Sequence, residues 1–127
     1  MDRAGNERLN GLNISLPMAA GVKIREHCII AINADGFAEE ASLKEGLRIA
    51  GCSQKYRDNL EGENGELAIP VRRGTFFWKQ DGSISITDIL KDCYVSDAKT
   101  VTLNAEGASC AGKILAVEAD GVVVEMM

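Results

Sequence analysis

The sequence predicts a mainly β protein, a small antiparallel β-barrel or sandwich with one short α-helix. Three observations lead there. Short runs of Ile, Val and Leu alternate with polar residues along most of the chain, and a period of two marks a half-buried strand. Asp-Gly recurs at Asp35-Gly36, Asp81-Gly82 and Asp120-Gly121, and a two-residue Asp-Gly loop accepts the positive φ angles of a tight hairpin. Residues 65–79 form the longest strand-like run and hold three of the six aromatic residues.

In that run Leu67, Ile69 and Val71 alternate with Ala68, Pro70 and Arg72; beyond Gly74 the large Phe76 and Trp78 fall on even positions. One extra residue in a strand reverses which face each side chain takes. Gly74 therefore reads as a bulge or sharp bend in one long strand, the alternative being two strands joined by a turn. Pro70 has no N–H, so it belongs on an edge or beside an irregularity.

The remaining elements follow in order. Residues 1–11 form a polar tail, and residues 12–127 a single β-rich domain. Leu12, Ile14 and Leu16 mark a short strand stopped by Pro17, and Ala19-Ala20-Gly21 is a turn. Residues 22–24 and 27–32 are strands, the second leading into the Asp35-Gly36 hairpin. The small residues of the strand at 47–52 imply close approach by another backbone. Residues 55–64 are a polar loop. Residues 87–92 are the helix, capped by Thr87 with Asp88 in its first turn. Strands follow at 93–95, 100–103, 113–117 and 122–124. The likeness between residues 31–37 and 116–122 is recurring hairpin chemistry, not a duplicated domain.

At 127 residues the chain is one domain with one modest core. Hydrophobic residues make up 46% and aromatics only 5%, so Ile, Val, Leu and Ala must fill that core. The net charge of −5, from 14 basic and 19 acidic residues, argues against nucleic acid as a partner, because phosphate binding needs a concentrated positive surface. No apolar run approaches the roughly 20 residues that span a bilayer, which argues against a membrane partner. The polar start, Met1 to Arg8, has no secretory h-region. The expectation is folding in a reducing cytoplasm, with Cys28, Cys52, Cys93 and Cys110 as small buried hydrophobes.

Reactive groups are few, and the expectation is a non-enzymatic protein with no catalytic, cofactor-binding or metal-binding residue. His27 is the only histidine; on a strand, Cys28 points to the opposite face from it, so only a more distant cysteine can approach it. The cysteines lie 24, 41 and 17 positions apart, without the short spacing of zinc ligands. No GxGxxG or GxxxxGK[ST] phosphate loop occurs. Turn chemistry accounts for Asp35, Gly36, Gly74, Asp81, Gly82, Asp120 and Gly121. The interface candidates are Arg72, Arg73 and Phe77. The two arginines are an anion site, or one is solvated and the other ion-paired. Phe77 faces away from Phe76 and Trp78, as a second apolar layer under residues 55–59 or as a subunit contact.

Three segments carry a family resemblance: Leu12-Asn13-Ile14-Ser15-Leu16-Pro17 with Ala20-Gly21-Val22-Lys23; Leu67-Ala68-Ile69-Pro70-Val71-Arg72-Arg73-Gly74-Thr75-Phe76; and Gly112-Lys113-Ile114-Leu115-Ala116-Val117-Glu118-Ala119-Asp120-Gly121-Val122-Val123-Val124-Glu125. In this order and spacing they resemble the small capsid cement, or head decoration, proteins of tailed phages and prophages. The resemblance covers roughly residues 12–126. It implies a structural protein made in the bacterial host cytoplasm that binds the major capsid protein on the virion surface, with self-association as a homotrimer. The acidic balance suits an outer surface rather than one facing packaged DNA. The chain departs from the family at the polar extension before Leu12 and at Lys91-Asp92-Cys93. The alternatives are a tail or baseplate component, and a small cysteine-containing enzyme or ligand-binding barrel.

Overall fold

The structure, a computed structural model, describes residues 12–126; the tail expected over residues 1–11, and Met127, lie outside the described residues. In chain order the strands are β1 (Asn13–Pro17), β2 (Val22–Ile24), β3 (Ile29–Ile32), β4 (Ala38–Glu40), β5 (Arg48–Ser53) and β6 (Arg57–Asn59), then β7 (Ala68–Arg72) and β8 (Gly74–Gln80). A 3-10 turn (Ile86–Asp88) precedes β9 (Asp92–Asp97), β10 (Thr100–Thr102), β11 (Cys110–Glu118) and β12 (Gly121–Met126). The protein is thus mainly β. An open antiparallel sheet runs β1-β7-β5-β3-β4, a closed barrel runs β10-β8-β12-β11-β9, and β2 pairs β6 as a ribbon. Every strand pairing is antiparallel except that of β10 with β8.

The chain changes layer at Arg73-Gly74. β7 lies in the open sheet, whereas β8 lies in the barrel between β10 and β12. The sharp bend expected at Gly74 is present, with φ at +142°, a region that L side chains rarely enter. The single long strand is not, because its halves satisfy different sheets. Side-chain parity changes accordingly: Ile69 and Val71 are buried before the bend, Trp78 after it. Pro70 pairs with Ser15, and its carbonyl accepts the Gln54 N–H at 3.0 Å, just beyond the end of β5. A residue's N–H and C=O point the same way in an antiparallel strand, so the missing N–H faces that irregular end and no ladder bond is lost.

The one expected core resolves into two clusters, on opposite faces of the β3–β5 portion of the sheet. Ile29, Ala31 and Cys52 join the barrel's Trp78, Val95, Val101, Ile114, Val122 and Val124. Ile30 and Ala50 join Met18, Ile24, Ile69 and Val71. The run Ile29-Ile30-Ala31-Ile32 is apolar on both faces, as a doubly covered strand requires. Ile29, Ile30, Ile69 and Ile114 are fully buried, each worth about 1.5–3 kcal/mol relative to exposure. A bulge at Ala50 shifts the register from Ile30↔Gly51 to Ala31↔Ile49, so Ile49 and Cys52 pack on the same cluster. Gly51, at φ +151°, backs onto the Arg72 carbonyl, where a β-carbon would collide. This is the close approach the small residues of 47–52 imply.

The turn readings need correction in detail. Asn33 closes the first hairpin, its N–H donating to Phe37 O (2.9 Å) while Gly36 N–H donates to Asn33 O (3.0 Å). The loop is therefore Ala34-Asp35-Gly36, with Gly36 alone at positive φ; this is the three-residue hairpin form. Asp81-Gly82 leads from β8 into the 3-10 turn and closes no hairpin. Asp81 Oδ1 accepts the Ser83 N–H (3.1 Å) and Oγ–H (2.6 Å), and its Oδ2 accepts the Thr102 hydroxyl (2.7 Å). Glu118 pairs with Gly121, so the last loop is Ala119-Asp120. Gly121 opens β12 instead, where a β-carbon would strike the Phe77 ring and the Trp78 carbonyl. The loop expected over 55–64 contains β6, and His27 sits in a turn rather than on β3.

The expected helix over 87–92 is a single 3-10 turn, preceded by Ser85 rather than capped by Thr87. Asp88 Oδ2 accepts the Ser85 N–H at 2.8 Å, and Asp88 N–H donates to Ser85 O at 2.9 Å. Six residues nucleate a helix poorly. Leu90 N–H donates instead to Ile114 O (2.7 Å) and Ile114 N–H to Lys91 O (3.0 Å).

Two predictions follow from this geometry. Gly51→Ala should destabilise the fold by about 2–4 kcal/mol in urea unfolding, against about 1–2 kcal/mol for Gly36→Ala, whose β-carbon meets nothing. Hydrogen bonds from Ser83 and Thr102 hold the Asp81 carboxyl below its ordinary range, and the Ser85 N–H and Lys91 do so for Asp88. Depressed carboxyls stabilise the fold above their unfolded pKa and lose that contribution as pH falls through the folded value. The melting temperature should therefore hold above about pH 5 and drop below about pH 4, with a shallower drop in Asp81→Asn.

Candidate functional site

Of the interface candidates, Arg72 and Phe77 converge and Arg73 does not. The end of β7, the start of β8 and the end of β5 enclose a groove of about 330 Å³ lined by His27, Cys52, Gln54, Arg72, Phe76, Phe77 and Trp78. It continues past His27 and Phe77 into a hollow of about 170 Å³ that Lys79 and Lys99 also line. Phe76 and Trp78 form one wall, their ring centroids 6.2 Å apart and tilted by 50°. Trp78 donates its indole N–H to Met126 Sδ at 3.1 Å, which fixes the ring between barrel and groove. Phe77 is 45% exposed, so it is not a second buried layer. Its ring stands over Gly121.

Backbone strain places His27 at the groove. Its φ is +59°, uncommon for any residue with a β-carbon. Ser53 clamps the turn: His27 N–H donates to Ser53 O (2.9 Å), Cys28 N–H to Ser53 Oγ (2.9 Å), and Ser53 Oγ–H to Arg25 O (2.6 Å). Arg72 is exposed and Arg73 half-buried, and Arg73 N–H donates to Leu12 O at 2.6 Å. Among the described residues neither arginine is in an ion pair, so the expectation of one paired arginine is corrected. The groove rim thus carries Arg72, Lys79 and Lys99 with no carboxylate in its lining.

The distant cysteine that shares a groove with His27 is Cys52. Its thiol is unactivated: it donates to Ser53 O at 3.7 Å, and burial pushes its pKa up to about 11. Burial likewise pushes Cys93 up to about 12 and raises Cys28. Cys28, Cys52 and Cys93 are buried as expected, whereas Cys110 is exposed, a correction that follows from its place at the start of β11. Among the described residues, no group of three or more His, Cys, Asp or Glu is placed to hold a metal ion.

Two further surfaces escaped sequence reasoning. The loop after β6 lines a hollow of about 540 Å³ with Asp58, Leu60, Glu61 and Glu66, and Leu60 is 51% exposed. Asn59 beneath it is buried, its side-chain amide donating to Ala19 O (2.9 Å) and Glu63 O (3.0 Å). The second surface is the segment around the 3-10 turn, where Ile86, Ile89 and Leu90 are 72%, 39% and 64% exposed. Ile89 and Leu90 belong to the expected helix over 87–92, and Ile86 just precedes it. The available signal was that three large aliphatics crowd a segment too short to hide them.

At neutral pH, native alkylation should label Cys110 first and leave the other three thiols until the protein unfolds, as peptide mass mapping would show; rapid labelling of Cys52 would mark an activated thiol. No protein-family model, curated protein or solved structure matches this chain.

Proposed function

We propose that this protein is a non-enzymatic structural component of a tailed-phage particle, a cement protein that binds the assembled capsid shell and braces it. The observation that carries the reading is the exposed trio Ile86, Ile89 and Leu90, held on a braced turn. Hydrogen bonds to Ser85 and Ile114 fix that turn on both sides, so its apolar side chains need little ordering on contact. An interface gains from such an apolar centre with a polar rim. A binder that favours one shell state stabilises it by mass action.

The sequence resemblance lends the reading its phage context. Its three segments, distant in the chain, supply adjacent strands: β1 pairs β7, β8 follows β7 through the bend, and β8 pairs β12 of the last hairpin. They form the strands that join the two layers.

Purified expanded shells should bind the protein saturably and rupture at a higher temperature with it. Ile86→Asp/Leu90→Asp should weaken that binding about tenfold or more while leaving the free protein's melting temperature unchanged. Binding to procapsids alone, or to neither shell, overturns the reading, and labelled protein found on tails by electron microscopy would assign it there instead.

A further inference from the structure

We infer that the chain associates with further copies of itself head to tail, the acidic Leu60 loop of one copy seated in the basic, aromatic Phe77 groove of the next. The two surfaces are complementary in charge. The loop presents an exposed Leu60 flanked by Asp58 and Glu61, with Glu63 and Glu66 behind. The groove presents a half-exposed Phe77 beside Arg72, Lys79 and Lys99. Among the described residues none of these charged side chains is in an ion pair within the chain. Charge outside any ion pair, of one sign beside an exposed apolar side chain and of the other round an aromatic recess, is what steers and registers an interface.

The loop is braced from within. Leu60 N–H donates to Asp58 Oδ1 (2.9 Å), Gly62 N–H to Asn59 O (3.1 Å) and Glu63 N–H to Glu66 Oε1 (3.3 Å). Buried Asn59 anchors it to the body, so docking orders little that is not already ordered. The loop and the groove lie at opposite ends of β7: Leu67 lines the hollow at the loop, and Arg72 lines the groove. That strand spans about 13 Å, which separates the two surfaces within one chain and leaves each free for a second copy. Because the two faces differ, the contact is heterologous; it closes into a ring if the rotation permits and otherwise grows as an open chain. The inference stands on these surfaces alone and does not require shell binding.

Sedimentation velocity of the full chain, alone, tests it from about 5 μM to about 500 μM, the range of a small interface. The expected result is a species heavier than the 13.6 kDa chain, discrete for a ring or growing with concentration for an open chain, and weakened by salt. Arg72→Glu/Lys79→Glu, and separately Glu61→Lys/Glu63→Lys, should each weaken association about tenfold or more. The protein carrying all four changes should recover it, and Leu60→Asp should lose it without recovery. All five positions are exposed, so melting temperatures should stay at the parent value. A single species at the chain's own mass throughout, or association indifferent to the reversals, overturns the inference. Since no shell is present, that failure would leave the proposed shell binding untouched, and the reverse also holds.

Discussion

The architecture depends on a single passage of the backbone, the step through Arg73 and Gly74 from the open sheet into the barrel. Before it, side chains at odd positions enter the cluster around Met18 and Ile30; after it, those at even positions enter the barrel. The same few residues supply the carbonyl of Arg72 on which Gly51 rests. They also supply the ladder that carries β1 and, beyond the bend, the ladder that carries β12. A change of one residue in the length of this stretch would turn Trp78 outward and Phe77 inward. That reversal would undo the barrel interior and the groove together.

Much of this was readable because it is local. The parity change across Gly74, the small residues at 47–52 and the constraint on Pro70 each rest on neighbouring residues, and each meets its expected environment. Non-local features were not readable. Gly121 opens a strand against Phe77, 44 positions earlier, which no turn rule reveals. The run Ile29-Ile30-Ala31-Ile32 is compatible with one core or two until its neighbours are known. Residues 87–92 carry helix signals, but backbone bonds to Ile114 outweigh the weak preference of so short a segment. The groove gathers His27, Cys52 and Arg72 from three separate strands or turns, so only Phe77 and Arg72 stood out beforehand.

The described surface combines exposed apolar side chains with charges outside ion pairs. Cys52, which shares a groove with His27, is held protonated by burial, and its hydrogen goes to a neighbouring carbonyl. Two of the large apolar side chains that remain outside stand on segments fixed by hydrogen bonds, Leu60 beside the buried Asn59 amide and Leu90 through its own N–H to Ile114 O, while Phe77 stands on β8 over Gly121. Such placement keeps contact surfaces in fixed positions, and each polar group used to pin them is itself satisfied. Among the described residues no buried side-chain nitrogen or oxygen lacks a partner.

The barrel closes through its shortest ladder. β10 meets β8 at Thr100↔Lys79 and Val101↔Gln80, in parallel, with the Lys79 N–H also donating to Lys99 O at 3.1 Å. Parallel pairing is slightly weaker per residue than antiparallel, and the other barrel ladders are longer. The cylinder is thus a hinged strip fastened by a small latch, and thermal breathing will unfasten it there first. Unlatched, β8, β12, β11 and β9 remain a hydrogen-bonded sheet, while the Lys79 and Lys99 side of the groove gains freedom to flex.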